Sequence, residues 1–195
     1  MHILIITPAG PDSKAGNRAT ALRWQVLLEQ SGHQVQVLTE YEGETADLMI
    51  ALHAWRSAHA VEAWREQNPD KPLIVVLTGT DIYHHQHEYP GVTLASMDTA
   101  DLLIGLHDLV GRDIPESFRD KLVTLRQSAA QPAVRGGSRP ESGQFNICVI
   151  GHLRDEKDSL RAALAARHLP EDSSIVVNCA GRPHTEEWRE KALAE

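Results

Sequence analysis

Three adjacent residues near the N-terminus, Gly16, Asn17 and Arg18, have the types and the placement to bind an anion. They follow a glycine-bearing loop and lead into a predicted helix, whose first turn presents unpaired amides and the positive end of a dipole. Asn17 suits the N-cap of that helix, because its side-chain oxygen can accept from one of these amides. Arg18 adds a guanidinium group beside them, so the segment predicts an anion site.

The glycine spacing excludes the two best-known nucleotide-binding loops. Gly10 and Gly16 are separated by five residues, so the G-x-G-x-x-G dinucleotide fingerprint is absent. No Lys-Ser or Lys-Thr pair follows Gly16, so the Walker-type phosphate loop is absent too. The spacing alone leaves the identity of the anion open.

Thr78, Thr80 and Asp81 form a second polar group, which follows the apolar run of residues 72–77. A short continuous apolar run predicts a strand buried on both faces of a parallel sheet, and ligands bind at the carboxyl ends of such strands. Asp81 has two interpretations that the sequence leaves open. It could lie beside a ligand, or it could cap the next segment of chain.

Arg154 and Lys157 form a third group, after the apolar run of residues 145–150. Lys157 is predicted to open a helix, where the dipole disfavours a cation. A bound anion would remove that penalty, whereas the alternative is a solvated surface lysine. Arg154 could contact the same anion or form an ion pair with a neighbouring Asp or Glu.

His84, His85, His87 and Glu88 carry side chains that can bind metal ions. A metal site needs ligands that a fixed framework holds in place, and residues 84–92 are predicted to be a polar loop without a second ligand motif. We therefore predict no metal site.

Alternating strands and helices must position these groups. Apolar runs predict strands at residues 2–7, 34–39, 47–53, 72–77, 101–106 and 121–126, with helices at residues 18–31, 55–67 and 94–99. This alternation implies a parallel sheet with helices on both faces, so the predicted class is α/β with a Rossmann-like N-terminal domain.

Residues 128–144 interrupt the pattern, because they are rich in Pro, Gly and Ser and nearly free of apolar residues. We predict a linker there, between an N-terminal domain at residues 1–127 and a second Rossmann-like domain that starts at residue 145. Residues 145–195 are too few to close such a domain. We therefore expect this part to be incomplete, to expose apolar surface and to be inactive without the rest of the domain.

The composition limits the partners and the compartment. A net charge of −8 over 195 residues, with a pI near 5.7, argues against nucleic acid or an anionic membrane as the main partner. Cys148 and Cys179 lie in predicted strands and are interpreted as buried free thiols, which suits a reducing cytoplasm. No apolar run approaches the roughly 20 residues that span a bilayer, and no export signal is visible. The oligomeric state stays open.

Two Rossmann-like domains joined by one linker resemble the layout of GT-B glycosyltransferases. Residues 32–37 look like the early G-H-x-V-x-V signature of these enzymes, and residues 78–81 lie where many of them carry H-G-x-D. Residues 151–157 are similar to the G-R-L-x-x-x-K stretch with which family-4 members hold the donor diphosphate. The chain departs from these patterns at Thr78, where His is usual, and at His152, where Arg is usual.

Three longer blocks, residues 16–24, 77–83 and 151–158, together resemble the selenosugar synthases of selenoneine biosynthesis, the SenB family. The resemblance covers the chain from end to end. It implies formation of a carbon–selenium bond from a UDP-sugar, either UDP-GlcNAc or UDP-glucose, and selenophosphate. The products would be a selenosugar, UDP and phosphate, and no cofactor is implied.

The same resemblance assigns roles to the polar groups, with the acceptor on the first domain and the UDP-sugar donor on the second. The residues expected at the acceptor are Gly16, Asn17, Arg18, Thr20 and Thr78. The expected catalytic residues are Thr80, Asp81 and Lys157. The expected donor-binding residues are Arg154 and Lys157.

Two other functions remain open. One is a GT-B glycosyltransferase with a hydroxyl or thiol acceptor, although a hydroxyl acceptor usually needs a general base and Thr78 replaces the usual histidine. The other is a non-catalytic Rossmann-like binding module, which the second strand start at Phe145 disfavours. Because selenophosphate is already anionic at neutral pH, we predict that no histidine acts as a general base.

Overall fold

The computed structural model of this protein describes residues 1–131 and 143–195. These residues belong to two compact units, Met1–Gln131 and Pro132–Glu195. Most of the predicted linker, residues 132–142, lies outside the described residues. Residues 128–131 and 143–144 contain neither helix nor strand.

The first unit is built on one six-stranded parallel sheet, which confirms the predicted α/β class. Its strands are β1 (His2–Ile6), β2 (Gln34–Leu38), β3 (Leu48–Leu52), β4 (Leu73–Leu77), β5 (Leu102–Gly105) and β6 (Leu122–Thr124). They lie in the Rossmann-like order β2-β1-β3-β4-β5-β6, and every neighbouring pair is parallel. Each strand falls within one of the six predicted apolar runs.

Helical segments connect these strands. They are α1 (Gly16–Gln30), α2 (Ala58–Gln67), a π-helix (Asp81–His85), α3 (Gln86–Glu88), α4 (Pro90–Thr99), α5 (Val110–Asp113) and a 3₁₀-helix (Glu116–Lys121). Residues 84–92 are mostly helical, so the prediction of a polar loop there is wrong. Pro90 starts α4, where its fixed φ favours a helix, and the Tyr89 amide bonds to the His85 carbonyl at 2.7 Å.

The core lies on both faces of the sheet, as β1 illustrates. Ile3, Leu4, Ile5 and Ile6 are each at most 2% exposed. Leu4 and Ile6 belong to the apolar cluster that α2 and α4 cover, whereas Ile3 and Ile5 belong to the cluster beneath α1. Full burial of one such side chain contributes roughly 1.5–3 kcal/mol, which explains why a continuous apolar run was a reliable strand signal.

The second unit has a smaller sheet. Its elements are β7 (Phe145–Ile150), a 3₁₀-helix (Asp155–Lys157), α6 (Arg161–Ala166), β8 (Ile175–Ala180) and α7 (Glu186–Ala194). Among the described residues, β7 and β8 pair only with each other, in parallel. Phe145 and Ile150 are 62% and 82% exposed, which confirms the expected apolar surface.

Cys148 and Cys179 are free but exposed, so the prediction that their thiols are buried is wrong. The small sheet of the second unit does not enclose these two side chains between layers.

The loops after β7 and β8 run side by side. The Leu153 amide donates to the Arg182 carbonyl at 2.9 Å, and the His184 amide donates to the Leu153 carbonyl at 3.0 Å. Gly181 approaches Gly151 so closely that a Cβ at residue 181 would fall on the Gly151 carbonyl oxygen. Only glycine fits at position 181 without moving one of the loops.

We expect Gly181→Ala to separate these loops, because the added methyl group overlaps backbone that cannot rotate away. The amides of Leu153 and His184 should then exchange with solvent roughly tenfold faster or more, since overpacking of this kind costs about 1–3 kcal/mol. Hydrogen exchange resolved by residue checks this. Gly91→Ala, where nothing lies within 4 Å of the new Cβ, is the control. Equal exchange in both variants would contradict the close approach.

Candidate functional site

The carboxyl ends of the six strands meet at one edge of the first sheet, which we call the carboxyl edge. The chain leaves β1 through α1 on one face of the sheet, and it leaves β3 through α2 on the other face. Such a switch point between neighbouring strands opens a crevice, the usual ligand site of open α/β sheets. The predicted residues 16–20 and 78–81 both lie at this edge.

Asp81 ties together the loops that follow β3 and β4. Its side chain is fully buried, and its carboxylate accepts from the amides of Thr78 (3.0 Å), Gly79 (2.8 Å) and Ile82 (3.2 Å). A fourth amide, that of Ala54 in the loop after β3, donates at 3.1 Å. The two carboxylate oxygens of Asp81 are therefore occupied by four backbone amides. Of the two interpretations left open for Asp81, the geometry favours the cap.

Thr80 is held between two histidines. Nε2 of His53 lies 3.0 Å from the Thr80 hydroxyl oxygen, and Nδ1 of His85 lies 2.7 Å from the Thr80 carbonyl oxygen. Both imidazoles are buried, with His53 only 1% exposed. Thr80 itself is half-buried, so its hydroxyl group is fixed from the protein side while the residue keeps access to solvent.

The hydrogen bonds of His53 define its tautomer. Its Nδ1 accepts from the Arg56 amide at 3.2 Å, so the proton of the neutral ring sits on Nε2 and is donated to Thr80. Burial lowers the pKa of His53 from 6.5 to about 4, with smaller lowering by Arg56 and His85 and an opposing effect of Asp81. The ring is therefore neutral near pH 7, and both nitrogens are engaged.

His107, in the loop after β5, has the same arrangement nearer the surface. Its Nδ1 accepts from the Leu109 amide at 3.2 Å, and its Nε2 lies 2.9 Å from the Tyr83 hydroxyl. Burial, followed by the charge and the hydrogen bond of Asp113, raises the pKa of Tyr83. The hydroxyl of Tyr83 thus accepts from His107. Neither His53 nor His107 has an unengaged ring nitrogen.

An aromatic stack borders Thr80. The ring of Trp55 lies parallel to His85 at 4.2 Å between centroids and to Tyr89 at 5.0 Å. His85 and Tyr89 are only 6.1 Å apart, so they lie on the same face of Trp55 rather than on opposite faces. The stack supports the His85 ring that holds Thr80, and its outer member Tyr89 is 47% exposed.

The start of α1 differs from the prediction. The helix begins at Gly16, Ala15 occupies the N-cap, and no side chain caps the first turn. The prediction that Asn17 is the N-cap is therefore wrong. Ser13 accepts from the Ala15 amide at 3.1 Å and starts the turn earlier than the residue types suggested. Gly16 and Asn17 consequently lie inside the first turn, where backbone amides have no carbonyl partner within the helix.

Two side chains of α1 face different partners. Arg18 is half-buried, and its Nε is buried without a hydrogen-bond partner among the described residues. Thr20 is buried, and its hydroxyl accepts from the Gln127 side-chain amide at 2.7 Å. Arg23 donates to Ser128 at 3.2 Å. Of the two arginines in α1, Arg18 is thus the one with a buried polar atom that lacks a partner.

The second unit places Arg154 and Lys157 around a short turn. Lys157 is the exposed last residue of the 3₁₀-helix, and its amide donates to the Arg154 carbonyl at 3.1 Å. Asp158 follows in a left-handed conformation, and α6 starts only at Arg161. The prediction that Lys157 opens a helix is therefore wrong, because Asp158 breaks the helical path and pairs with Arg161 at 2.7 Å. The expected contacts with a donor diphosphate stay predictions.

Two further features of the first unit add no residue to the candidate site. His84 and Glu88 approach to 3.1 Å, but no group of three or more potential metal ligands occurs within residues 1–131 and 143–195. A groove of about 250 Å³ between α2 and α4 has small and apolar side chains in its lining and contains none of the candidate residues.

Sequence reasoning found the loop of Thr78, Thr80 and Asp81 but missed the residues that hold it. His53 is the first residue after a buried strand, and that position was an available signal. For Trp55 and His85, no local pattern indicated this role, because it depends on contacts between separate loops.

The fold of the first unit defines an α/β protein with a Rossmann-like parallel sheet. No protein-family model and no curated protein matches this chain. No helix in the described part of the chain is long and apolar enough to cross a membrane.

The neutral state of His53 predicts how stability depends on pH. Its pKa is about 4 in the folded chain and near 6.5 when unfolded, so the unfolded chain binds more protons between these values. The free energy of unfolding should therefore fall as the pH drops from 6.5 towards 4, by about 2.5 kcal/mol near pH 4.5. Urea unfolding of the first unit at several pH values measures this.

His53→Gln should remove this part of the pH dependence, whereas His59→Gln, at an exposed position, should retain it. An unchanged slope in His53→Gln would show that His53 does not titrate in this way.

Proposed function

We propose that this chain belongs to a selenosugar synthase of the GT-B type. Such an enzyme joins the selenium of selenophosphate to the anomeric carbon of a UDP-sugar, either UDP-GlcNAc or UDP-glucose. Support comes from the resemblance of residues 16–24, 77–83 and 151–158, and from the chemistry that the carboxyl edge offers.

The proposed reaction balances with one water molecule. Selenium attacks the anomeric carbon, the bond from that carbon to the UDP oxygen breaks, and UDP leaves with the electron pair. Water then cleaves the selenium–phosphorus bond, which gives inorganic phosphate and leaves a proton on the selenosugar. No redox step and no cofactor is needed.

The observation that carries the proposal is the absence of an available base at His53. Its Nδ1 accepts an amide and its Nε2 donates to Thr80. An alcohol acceptor must lose a proton as it attacks, and so it needs a base within reach. Selenophosphate is anionic at neutral pH and needs positioning instead. The carboxyl edge offers two donors for that purpose, the Thr80 hydroxyl and the Arg18 guanidinium group.

The roles follow from this chemistry. Arg18 and the first-turn amides of Gly16 and Asn17 bind the phosphate oxygens, while the Thr20 hydroxyl accepts from Gln127. Thr78 and Thr80 lie beside the attacking selenium, and Asp81 fixes their loop.

On the second unit, Arg154 and Lys157 neutralise the charge that builds on the departing UDP. Loss of an electrostatic partner of this kind typically costs on the order of 10²–10³ in rate.

Product analysis tests the proposal. The full-length protein that carries this sequence is incubated with selenophosphate and a panel of UDP-sugars, and the products are identified by mass spectrometry. We expect one selenosugar, with UDP and phosphate in equal amounts. Transfer to hydroxyl or thiol acceptors without any selenium product would favour the alternative glycosyltransferase. Binding without turnover of any donor would favour a non-catalytic module.

Arg18→Ala should weaken selenophosphate binding, because it removes a charge-assisted contact to the phosphate oxygens. Such contacts are worth about 1.5–3 kcal/mol, so KM for selenophosphate should rise roughly 10- to 100-fold with a smaller change in kcat. Arg23→Ala is the matched control on the same helix, since Arg23 already bonds to Ser128. Equal KM values for the two variants would remove Arg18 from the acceptor site.

A further inference from the structure

We infer that His53 is a positioning residue, which directs the Thr80 hydroxyl proton towards the open carboxyl edge so that Thr80 donates it to an anionic acceptor. The inference deepens the proposed function and rests on it for the identity of the acceptor. His53 contacts no substrate in this arrangement, since it acts through Thr80.

The first step is the direction of the hydrogen bond. With Nδ1 occupied by the Arg56 amide, the His53 ring can only donate from Nε2, at 3.0 Å from the Thr80 oxygen. A hydroxyl group has one proton and two lone pairs. Because His53 uses one of the lone pairs, the Thr80 proton must point elsewhere. No other partner of this hydroxyl occurs among the described residues, so the proton is available to a ligand.

The second step is how the ring is held. His53 has a φ of 76°, an uncommon left-handed conformation for a residue other than glycine. Residues 53–57 form a turn in which the Ser57 hydroxyl donates to the Leu52 carbonyl at 2.7 Å and the Ser57 amide donates to the His53 carbonyl at 3.0 Å. This turn presents the Arg56 amide to Nδ1. Backbone strain of this kind is concentrated at functional sites.

The third step is the charge of the ring. Asp81, Arg56 and His85 are the charged or titratable groups that act on His53, and burial outweighs them in keeping the ring neutral. A protonated ring would carry a proton on Nδ1 and would lose the Arg56 amide. The tautomer that points the Thr80 proton outward is therefore the one that the surrounding turn requires.

The arrangement suits one class of acceptor. An anion such as a phosphate or selenophosphate oxygen accepts the Thr80 proton, and such a charge-assisted bond is stronger than one to a neutral group. An alcohol would find a donor there but no base. The pair of His53 and Thr80 therefore favours an acceptor that arrives deprotonated.

A double-mutant cycle in the full-length protein tests the inference, with thiophosphate as the binding probe and its dissociation constant measured by calorimetry. Thr80→Val removes the hydroxyl while keeping the shape. His53→Asn tolerates the left-handed backbone but is too short to reach Thr80, whereas His53→Gln can still donate to it.

We expect Thr80→Val and His53→Asn each to weaken thiophosphate binding about tenfold, and the double variant to be no weaker than either one. His53→Gln should bind within about threefold of the parent protein. Additive losses in the double variant, or a His53→Gln variant as weak as His53→Asn, would overturn the positioning role. If His53→Asn does not fold, His53→Gln is compared instead with the His53→Gln, Thr80→Val double variant. That double variant must show the same tenfold loss as Thr80→Val alone.

The probe separates this inference from the proposed function, because thiophosphate binding requires no turnover. Coupled binding without any selenosugar product would leave the positioning role in place and refute the synthase. Selenosugar formation by the parent protein, together with additive losses in the double variant, would support the synthase and refute the positioning role.

Discussion

The hydrogen bonds of the buried Asp81 carboxylate are the interaction on which the rest of the candidate site depends. Removing a carboxylate from water costs several kcal/mol, which only well-placed donors can offset. Four backbone amides supply that offset, three from the loop after β4 and one from the loop after β3. Because the two loops share one carboxylate, Thr80 is brought to His53. The aromatic stack behind His85 then holds the other side of Thr80.

The fold could be predicted because it depends on a signal that lies within each segment. The four inner strands of the first sheet, β1, β3, β4 and β5, are short apolar runs, because burial on both faces makes such runs nearly continuous. Predictions that relied on a single residue type were less successful. Asn17 has the chemistry of an N-cap, but Ser13 and Ala15 start α1 earlier. Lys157 was predicted to open a helix, but it ends a 3₁₀-helix, and the left-handed Asp158 separates it from α6.

The site was predictable only in part, for a related reason. The position of Thr78, Thr80 and Asp81 after a buried strand marked them as candidates. The partner that orients Thr80 lies 27 residues away, so no local pattern could pair the two. The tautomer of His53 depends on the backbone of residues 53–57, which no residue preference specifies.

The central claim is that His53 is a neutral donor to Thr80 and not a base, and NMR of the histidine ring nitrogens tests it most directly. A two-bond proton–nitrogen correlation spectrum distinguishes the two neutral tautomers and the protonated ring. We expect His53 to carry its proton on Nε2 at pH 7 and to stay neutral until the pH approaches about 4. A proton on Nδ1, or a protonated ring at pH 7, would contradict the account.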